Sequence, residues 1–301
     1  MDFPAKILLF GEYGILLGSK ALAIPYPCCS GRFGFIDASP DSLSEREKES
    51  NSELKRLLNF FNKNSSSFRH LDLERLEKEI NRGIFFDSSI PAGFGLGSSG
   101  ALTAALYDRY RIDYQTNEHQ EIKVHLAAIE TCFHGISSGI DPLTSFLKRP
   151  VLLDNSNAQV TAIDLSPFSN TYTLFLLNSQ ARGNTGNLVR HFMEKYLHPD
   201  FKEKIDNEYI PVINQTIDAV SAGDFGSFEM LIARYSLFQF TNFQKMVPKA
   251  MRKHFEYGTR SGDFYLKLCG SGGGGNMLAI SRNRLKAENY FKLNHFDYNI
   301  V

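Results

Sequence analysis

Residues 91–100 read Pro91-Ala-Gly-Phe-Gly-Leu-Gly-Ser-Ser-Gly100, and they place four glycines and two serines at the start of a helix predicted over 98–111. Glycines allow tight turns and a close approach of backbone N–H groups to an anion. A helix N-terminus adds free N–H donors and the positive end of the helix dipole. The stretch therefore predicts a phosphate-binding loop, although its composition alone also fits a flexible glycine-rich loop.

Two common nucleotide-binding motifs do not fit this loop. Gly95, Gly97 and Gly100 match G-x-G-x-x-G, but a dinucleotide-binding motif needs a strand that runs straight into its first glycine. Here Pro91 and a loop intervene. The chain contains no G-x-x-x-x-G-K-[ST], which excludes a P-loop.

A second segment, residues 134–141, reads His-Gly-Ile-Ser-Ser-Gly-Ile-Asp and follows an amphipathic helix predicted over 118–134. Glu130 lies on the apolar face of that helix. An unpaired carboxylate there is costly, so Glu130 needs a cation, a hydrogen-bond donor or access to water at the edge. Residues 135–139 match G-x-S-x-G, but a nucleophile elbow requires strand–turn–helix, which disfavours a serine hydrolase.

Two further segments carry charged or glycine-rich patterns. Residues 267–276 read Lys-Leu-Cys-Gly-Ser-Gly-Gly-Gly-Gly-Asn between two predicted strands. Glycines in that position indicate close approach to a ligand or another backbone rather than a loose linker. Residues 4–13 read Pro-Ala-Lys-Ile-Leu-Leu-Phe-Gly-Glu-Tyr, which places Lys6 near the start of a buried strand and Glu12 after its end.

Composition and charge exclude several function classes. The chain has 301 residues, 43% of them hydrophobic, and 33 Lys and Arg balance 33 Asp and Glu. A net charge of zero gives no overall attraction to nucleic acid or to an anionic membrane. No apolar run is long enough to span a membrane, and the N-terminus lacks a secretory-signal pattern. The four cysteines fit neither a zinc site nor a disulfide framework, so we expect a cytoplasmic protein with reduced, mostly buried thiols.

Strands and helices alternate along the chain, which indicates an α+β or α/β protein. Pro25 and Pro27 are expected to end the second strand. A turn-like segment over Pro167–Asn170 marks the expected domain boundary, with one domain over 1–167 and the other over 168–301.

Together, the four segments closely resemble those of the GHMP kinases, in family order and over nearly the whole chain. These are small-molecule kinases named for galacto-, homoserine, mevalonate and phosphomevalonate kinases. The resemblance implies a two-domain α+β fold with the active site in the cleft between the domains. It implies an N-terminal ATP-binding and catalytic domain, a C-terminal GHMP kinase domain, ATP, Mg²⁺ and a small-molecule alcohol substrate. The oligomeric state stays open, a homodimer included.

The resemblance also assigns roles to individual residues. It gives catalysis to Asp141 and Lys6, and Mg²⁺ binding to Ser99 and Glu130. The residues it implies for ATP binding lie in the two glycine-rich segments: Pro91, Gly93, Gly95, Leu96, Gly97, Ser98, Ser99, Gly100, Gly272 and Gly273. The residues it implies for acceptor binding are Lys6, Glu12, Tyr13, Arg182 and Thr185.

Within the family, three motifs are most similar to the branch that phosphorylates the primary hydroxyl of mevalonate. They are Lys6–Glu12, His134–Asp141 and Asn184–Val189, the last reading Asn-Thr-Gly-Asn-Leu-Val. Tyr13, directly after Gly-Glu, is more typical of the branch that acts on phosphomevalonate. Phosphorylation of phosphomevalonate is therefore one alternative, and a nucleotide-binding protein without catalytic activity is another.

Overall fold

The computed structural model describes residues 1–35, 44–112, 118–154, 159–181 and 185–301. The predicted mixture of helices and sheets is confirmed. The strands are β1 (Phe3–Phe10), β2 (Ala21–Phe35), β3 (Ile84–Ser88), β4 (Val151–Asp154), β5 (Gln159–Ala162), β6 (Thr173–Asn178), β7 (Tyr265–Leu268), β8 (Asn276–Ser281) and β9 (Tyr298–Ile300). The helices are α1 (Glu45–Lys63), α2 (Leu73–Asn81), α3 (Ser98–Tyr110), α4 (His119–His134), α5 (Ile140–Leu147), α6 (Ser166–Thr171), α7 (Thr185–Tyr196), α8 (Pro199–Lys204), α9 (Ile210–Ala222), α10 (Phe225–Asn242), α11 (Arg252–Ser261) and α12 (Arg284–Leu293).

The chain folds into two compact units. The first contains Met1–Lys6, Pro25–Pro91 and Gly97–Arg149, and the second contains Ile7–Ile24, Ala92–Leu96 and Pro150–Val301. Each unit is made of three separate stretches of the chain, so this division does not test a boundary at one position. The domain boundary between residues 167 and 168 stays a prediction.

In the first unit, β3 pairs antiparallel with the second half of β2, from Gly31 opposite Ser88 to Phe35 opposite Ile84. Helix α3 packs against α4 and α5, and nearly all of its residues from Gly100 onward are buried. The small side chains in its middle allow this close packing of three helices. The buried position of α3 fixes its first turn, which carries the two serines of the predicted phosphate loop.

In the second unit, the strand order β7-β8-β6-β9 forms an antiparallel sheet. Every residue of β8 is buried, and α10 and α11 pack against β7. The first half of β2 pairs antiparallel with β4, which pairs with β5. The glycine-rich loop over 270–275 connects the paired strands β7 and β8, so both of its ends are fixed in the sheet.

Two local predictions are wrong. Strand β2 continues through Pro25 and Pro27, because these residues lie between the stretch that pairs with β4 and the stretch that pairs with β3. Neither of those pairings therefore needs the N–H groups that proline lacks. The expected turn at Pro167 belongs to helix α6, where proline occupies the first turn and its missing N–H removes no intrahelical hydrogen bond.

Among the described residues, no helix combines the length and the apolar character needed to cross a membrane. The four cysteines are free, as predicted. The expectation of mostly buried thiols is wrong, since Cys269 is buried whereas Cys28 is exposed and the other two are partly exposed.

Candidate active site

Helix α3 begins at the end of the predicted phosphate loop. Its N-cap, Gly97, has a left-handed backbone (φ 71°, ψ 42°), which glycine adopts without steric strain. A Cβ at this position would lie 2.8 Å from side-chain carbons of Lys6, so glycine also permits the approach of the lysine. The first amides of a helix have no partner within it and favour an anion. Ser98 and Ser99 occupy this first turn.

Lys6 and Asp141 form an ion pair in the first unit. Lys6 Nζ lies 2.8 Å from Asp141 Oδ2, and the two side chains are 3% and 29% exposed, respectively. Lys6 belongs to the buried strand β1, whereas Asp141 lies in the first turn of α5, where the helix dipole favours a negative charge. The pair therefore presents a carboxylate that a ligand can reach, held by a buried ammonium group.

Two glycines allow the helices around Asp141 to pack closely. A Cβ at Gly100 would lie 3.1 Å from the carbonyl carbon of Asp141. Gly139 caps α5 with a left-handed backbone (φ 75°), and a Cβ there would lie 2.7 Å from the carbonyl oxygen of Lys123. A side chain at either glycine would shift α5 and its carboxylate. Gly100, implied as a nucleotide ligand, thus serves this helix packing.

Glu130 lies near the end of α4 and is 5% exposed. The Ser99 hydroxyl donates to its Oε1 over 3.4 Å, and the Ser137 hydroxyl donates to its Oε2. Burial, assisted by the negative charge of Asp141, raises the pKa of Glu130 to about 7, while the two hydroxyl donors and Lys6 oppose this shift. Access to water at the helix edge, one alternative from the sequence, is therefore wrong.

The residues around Glu130 fit Mg²⁺. Ser99 and Glu130 offer a hydroxyl and a carboxylate oxygen that already lie within hydrogen-bond distance of each other. Mg²⁺ prefers such oxygen ligands and commonly takes only one or two protein carboxylates, with water and substrate phosphates completing its shell. A buried carboxylate with a pKa near neutrality also gains from a bound cation, which favours its ionised form.

In the second unit, the two glycine-rich segments pack against each other. A Cβ at Gly95 would collide with the carbonyl oxygen of Cys269, and one at Gly275 would lie 2.6 Å from Phe94 Cα. Asn276 donates to the Phe94 carbonyl from its backbone N–H (3.3 Å) and from Nδ2 (3.2 Å). The close approach to another backbone that the sequence predicts for this segment is thus present within this unit.

The remaining residues implied for ATP binding lie in different surroundings. Gly93 and Pro91 are exposed, whereas Leu96 is buried. A Cβ at Gly272 would lie 2.6 Å from the Met246 carbonyl oxygen, and one at Gly273 would collide with a neighbouring leucine side chain. Gly272 and Gly273 therefore allow the 270–275 loop to pack closely on the protein.

Glu12 is fully buried, with 0% of its side chain exposed. One carboxylate oxygen forms an ion pair with Lys267, which is also 0% exposed, and the other accepts from the Tyr235 hydroxyl at 2.5 Å. Lys267 Nζ also donates to the Leu8 carbonyl at 3.2 Å and to the Leu268 carbonyl at 2.6 Å. Burial raises the pKa of Glu12, and Lys267 opposes that shift. These contacts occupy both oxygens, which favours a structural role over the expected contact with an acceptor.

The other expected acceptor-binding residues are less accessible than the sequence suggests, or lie beyond what is described. Tyr13 is buried and its hydroxyl donates to the Ser271 carbonyl at 2.5 Å. Arg182 lies outside the described residues. Thr185 begins α7, but its side chain also lies outside the description.

Sequence reasoning did not assign roles to Ser137 and Lys267. Ser137 donates to Glu130 and accepts from the Gly139 N–H at 2.9 Å, so it connects the carboxylate to the start of α5. Its place in the motif that ends at Asp141 is the only sequence signal. For Lys267, the signal is a lysine within the otherwise apolar strand Tyr265–Leu268, which predicts a buried ammonium that needs a partner.

Residues 56–149 match the family described as GHMP kinases N terminal domain. A mevalonate kinase of Methanocaldococcus jannaschii is 23% identical over 314 residues, which cover 100% of this chain and 97% of the relative. The solved L. major mevalonate kinase in complex with R-mevalonate has a TM-score of 0.63 and 18% identity, covering 97% of this chain and 89% of that chain. The Streptococcus pneumoniae phosphomevalonate kinase has a TM-score of 0.66 and 15% identity, covering 100% and 98%.

These comparisons confirm the resemblance to the GHMP kinases that the motifs indicate. The solved structures share the fold, and the family match and the full-length relative support an ATP-dependent phosphotransferase with an alcohol acceptor. Because a mevalonate kinase and a phosphomevalonate kinase are similarly close in fold, the fold does not choose between their acceptors.

Proposed function

We propose that this GHMP-kinase-like chain transfers the γ-phosphoryl group of ATP to the primary hydroxyl of mevalonate, which gives 5-phosphomevalonate and ADP. The observation that carries the proposal is the Lys6–Asp141 pair, with 2.8 Å between Nζ and Oδ2 and an Asp141 side chain that is 29% exposed. It supplies an accessible proton acceptor beside a fixed positive charge, as transfer to an alcohol requires.

Phosphoryl transfer depends mainly on positioning and on stabilisation of charge. The acceptor oxygen forms a bond to the γ-phosphorus as the bond from that phosphorus to the β–γ bridging oxygen breaks. Asp141 accepts the proton that the alcohol loses, and Lys6 stabilises the charge that develops on the oxygen. Because Lys6 is buried in β1, its ammonium is positioned before the substrate binds and needs little reorganisation.

Ser99 and Glu130 are the residues that would hold Mg²⁺. The bound ion would neutralise charge on the β- and γ-phosphates. Ser99 lies in the first turn of α3, so the residues that would hold the ion lie beside the helix amides that favour an anion. The Gly97 turn keeps these amides accessible, whereas a larger residue there would meet Lys6. Gly272 and Gly273 keep their implied nucleotide-binding role as part of this proposal.

The choice of mevalonate rests on charge. Phosphomevalonate brings about two more negative charges than mevalonate, and sites for phosphate usually supply extra arginine or lysine. In the acceptor-side segments 4–15, 134–145 and 178–189, the lysines and arginines are Lys6 and Arg182 alone. Since Lys6 is paired with Asp141, Arg182 is left for a single carboxylate, which is what mevalonate carries.

An ADP-release assay tests the proposal with mevalonate, 5-phosphomevalonate, galactose and homoserine as acceptors. We expect kcat/KM for mevalonate at least about tenfold above that for 5-phosphomevalonate, or about 1.4 kcal/mol of discrimination. A higher kcat/KM for 5-phosphomevalonate would show that Tyr13 is the better indicator of the acceptor. ATP binding without acceptor-dependent ADP release would identify a nucleotide-binding protein without kinase activity.

A homodimer and a cytoplasmic location remain predictions from the sequence and its resemblance. Size-exclusion chromatography with light scattering measures the first directly.

A further inference from the structure

The backbone at Tyr13 is strained. Its φ of 61° and ψ of −42° lie outside the regions that a residue with a side chain normally occupies. The Gly14 N–H donates to the Glu12 carbonyl at 2.6 Å, which closes a γ-turn centred on Tyr13. A γ-turn with positive φ is rare, and such conformations persist only when surrounding contacts impose them.

The contacts that impose this turn lie within the second unit. The Tyr13 ring is buried and stacks on Phe192, with ring centroids 4.5 Å apart and planes at 29°. It also makes a T-shaped contact with Phe243, with centroids 5.4 Å apart. The Glu12 carbonyl also accepts from the Tyr209 hydroxyl at 3.1 Å. The strained turn thus holds a large aromatic ring in one orientation.

That orientation directs the Tyr13 hydroxyl to the Ser271 carbonyl at 2.5 Å. Ser271 lies between Gly270 and Gly272, which both have left-handed backbones. Further along the loop, the Gly273 N–H donates to the Met246 carbonyl at 2.5 Å. Glycine-rich backbone loses more conformational freedom on ordering than other backbone does. The hydrogen bond from the fixed Tyr13 hydroxyl to Ser271 therefore excludes many conformations that the loop could otherwise adopt.

We infer that Tyr13 is a positioning residue that fixes the 270–275 loop through the Ser271 carbonyl and thereby increases the affinity for ATP. The inference rests on the proposed function, in which Gly272 and Gly273 contribute to nucleotide binding. It replaces the expected acceptor contact of Tyr13, because the hydroxyl has a partner within the protein and the ring is buried. Burial also raises the pKa of Tyr13, so the phenol keeps its donor proton throughout the neutral range.

Tyr13→Phe removes this hydroxyl and keeps the ring, its stack on Phe192 and the γ-turn. A loop that is ordered for a smaller fraction of the time binds its ligand with a proportionally weaker apparent affinity. Loss of one neutral hydrogen bond corresponds to about a three- to tenfold change. We therefore expect the Kd for ATP, measured by calorimetry without acceptor, to rise by about that factor.

Tyr172→Phe is the matched control. Tyr172 is also buried in the second unit, and its hydroxyl proton lies within reach of two acceptors, the Phe225 carbonyl and Glu229, each at 3.3 Å. It therefore loses comparable contacts away from the glycine loop, and its Kd for ATP should stay within about twofold of the wild type. For Tyr13→Phe at saturating ATP, kcat and the KM for the alcohol should also stay within about twofold, because the acceptor groups are untouched.

Hydrogen exchange of the amides over 270–275 measures the loop directly, without reference to catalysis. It should be faster in Tyr13→Phe than in the wild type or in Tyr172→Phe. Phe192→Leu weakens the platform beneath the ring and should shift Kd and exchange in the same direction, which provides a second variant if Tyr13→Phe folds poorly. Unchanged Kd and exchange in a folded variant overturn the inference. Failure of the wild type to bind ATP overturns the proposed function instead, while the exchange result still tests whether Tyr13 orders the loop.

Discussion

Each of the two units has a pair in which a buried lysine meets a carboxylate, and the two carboxylates differ in their access to solvent. In the first unit, Lys6 pairs with Asp141, whose side chain is 29% exposed. In the second unit, Lys267 pairs with Glu12, and both side chains are 0% exposed. The chemical groups are the same, yet only the first pair leaves a carboxylate that an acceptor can meet. Burial, rather than residue type or motif membership, therefore separates the candidate catalytic pair from a structural one.

The contacts around each pair explain this difference. Asp141 lies at a helix start, where its charge is stabilised without full enclosure. Glu12 is enclosed by Lys267 and Tyr235, and Lys267 is satisfied by two further carbonyl groups. Such a network is expensive to leave incomplete, because a remaining buried charge has no water to solvate it.

The largest expected effect is on catalysis at the exposed pair. Asp141→Asn removes the proton acceptor while it preserves the shape of the side chain, so kcat should fall by about 10²–10⁴-fold. Steady-state kinetics at saturating ATP measure this loss, and urea unfolding measures any accompanying change in stability, since the buried Lys6 ammonium loses its counter-charge. The matched control is Asp218→Asn, since Asp218 pairs with Lys20 and is 59% exposed; it should change neither quantity. Activity of Asp141→Asn within a few-fold of the wild type would remove Asp141 from catalysis.

The buried pair should give the opposite result, with stability lost first. Lys267→Met leaves Glu12 buried without its cation, which typically costs about 3–5 kcal/mol. Urea unfolding measures the loss, and Lys202→Met, at an exposed pair with Asp206, should leave the stability close to that of the wild type. Adding Glu12→Gln to Lys267→Met should recover part of the loss, because the two residues are coupled. A Lys267→Met protein as stable as the wild type would contradict the structural role.

The sequence predicts the regular elements well where periodicity is strong. The helix predicted over 118–134 is α4 (His119–His134), and the buried strand predicted between Lys6 and Glu12 lies in β1 (Phe3–Phe10). Helix α12 shows a weaker pattern, since Ala287 and Phe291 are its buried residues, and β9 has only three residues. Both escape prediction because they are stabilised by packing on the rest of the unit rather than by local pattern.

The residues of the candidate site also differ in how far the sequence predicts them. Lys6, Ser99, Glu130 and Asp141 come together in the first unit, as the motifs imply. The burial of Glu12 depends on Tyr235 and Lys267, which follow it by more than 200 positions. No local pattern reveals such distant partners, so motif membership alone could not separate a structural carboxylate from one that binds substrate.

Glu130 provides an intermediate case, since it is buried like Glu12 but is held by hydroxyl groups. Its pKa is raised to about 7, so the fold favours the protonated form. The stability from this preference is fully present below the ordinary pKa of about 4.5 and is lost as pH rises through about 7. In metal-free protein, the wild type should therefore lose stability between pH 5 and pH 8, whereas Glu130→Gln keeps an uncharged side chain at both. The free energy of unfolding of Glu130→Gln relative to that of the wild type should rise by about 2–3 kcal/mol over this range. Urea unfolding at both pH values measures the gain, and an equal difference between the proteins at the two values would contradict it.

The smallest effect concerns the hydroxyl that orients Glu130. Ser137 donates to Glu130 and accepts from the Gly139 N–H, so Ser137→Ala frees the carboxylate to rotate. Loss of such a hydrogen bond is worth about 0.5–1.5 kcal/mol, so the Mg²⁺ concentration for half-maximal rate should rise about three- to tenfold. Ser137→Thr keeps the hydroxyl and should restore the wild-type curve. Ser138→Ala is the control, because the Ser138 hydroxyl accepts from the Ile140 N–H instead.

Glu130→Gln sets the scale for this titration, because it removes the charged ligand itself and should shift the Mg²⁺ curve by at least about tenfold, or about 1.4 kcal/mol. Calorimetry of ATP binding with and without Mg²⁺ measures the same effect without catalysis. The gain in ATP affinity on adding Mg²⁺ should rank the variants in the same order. If Glu130→Gln shifts the curve and Ser137→Ala does not, the Ser137 hydrogen bond has no role in orienting the ligand. If neither variant shifts the Mg²⁺ curve, Glu130 is a buried structural carboxylate like Glu12. The candidate site of the first unit then consists of the Lys6–Asp141 pair without a metal ligand at Glu130.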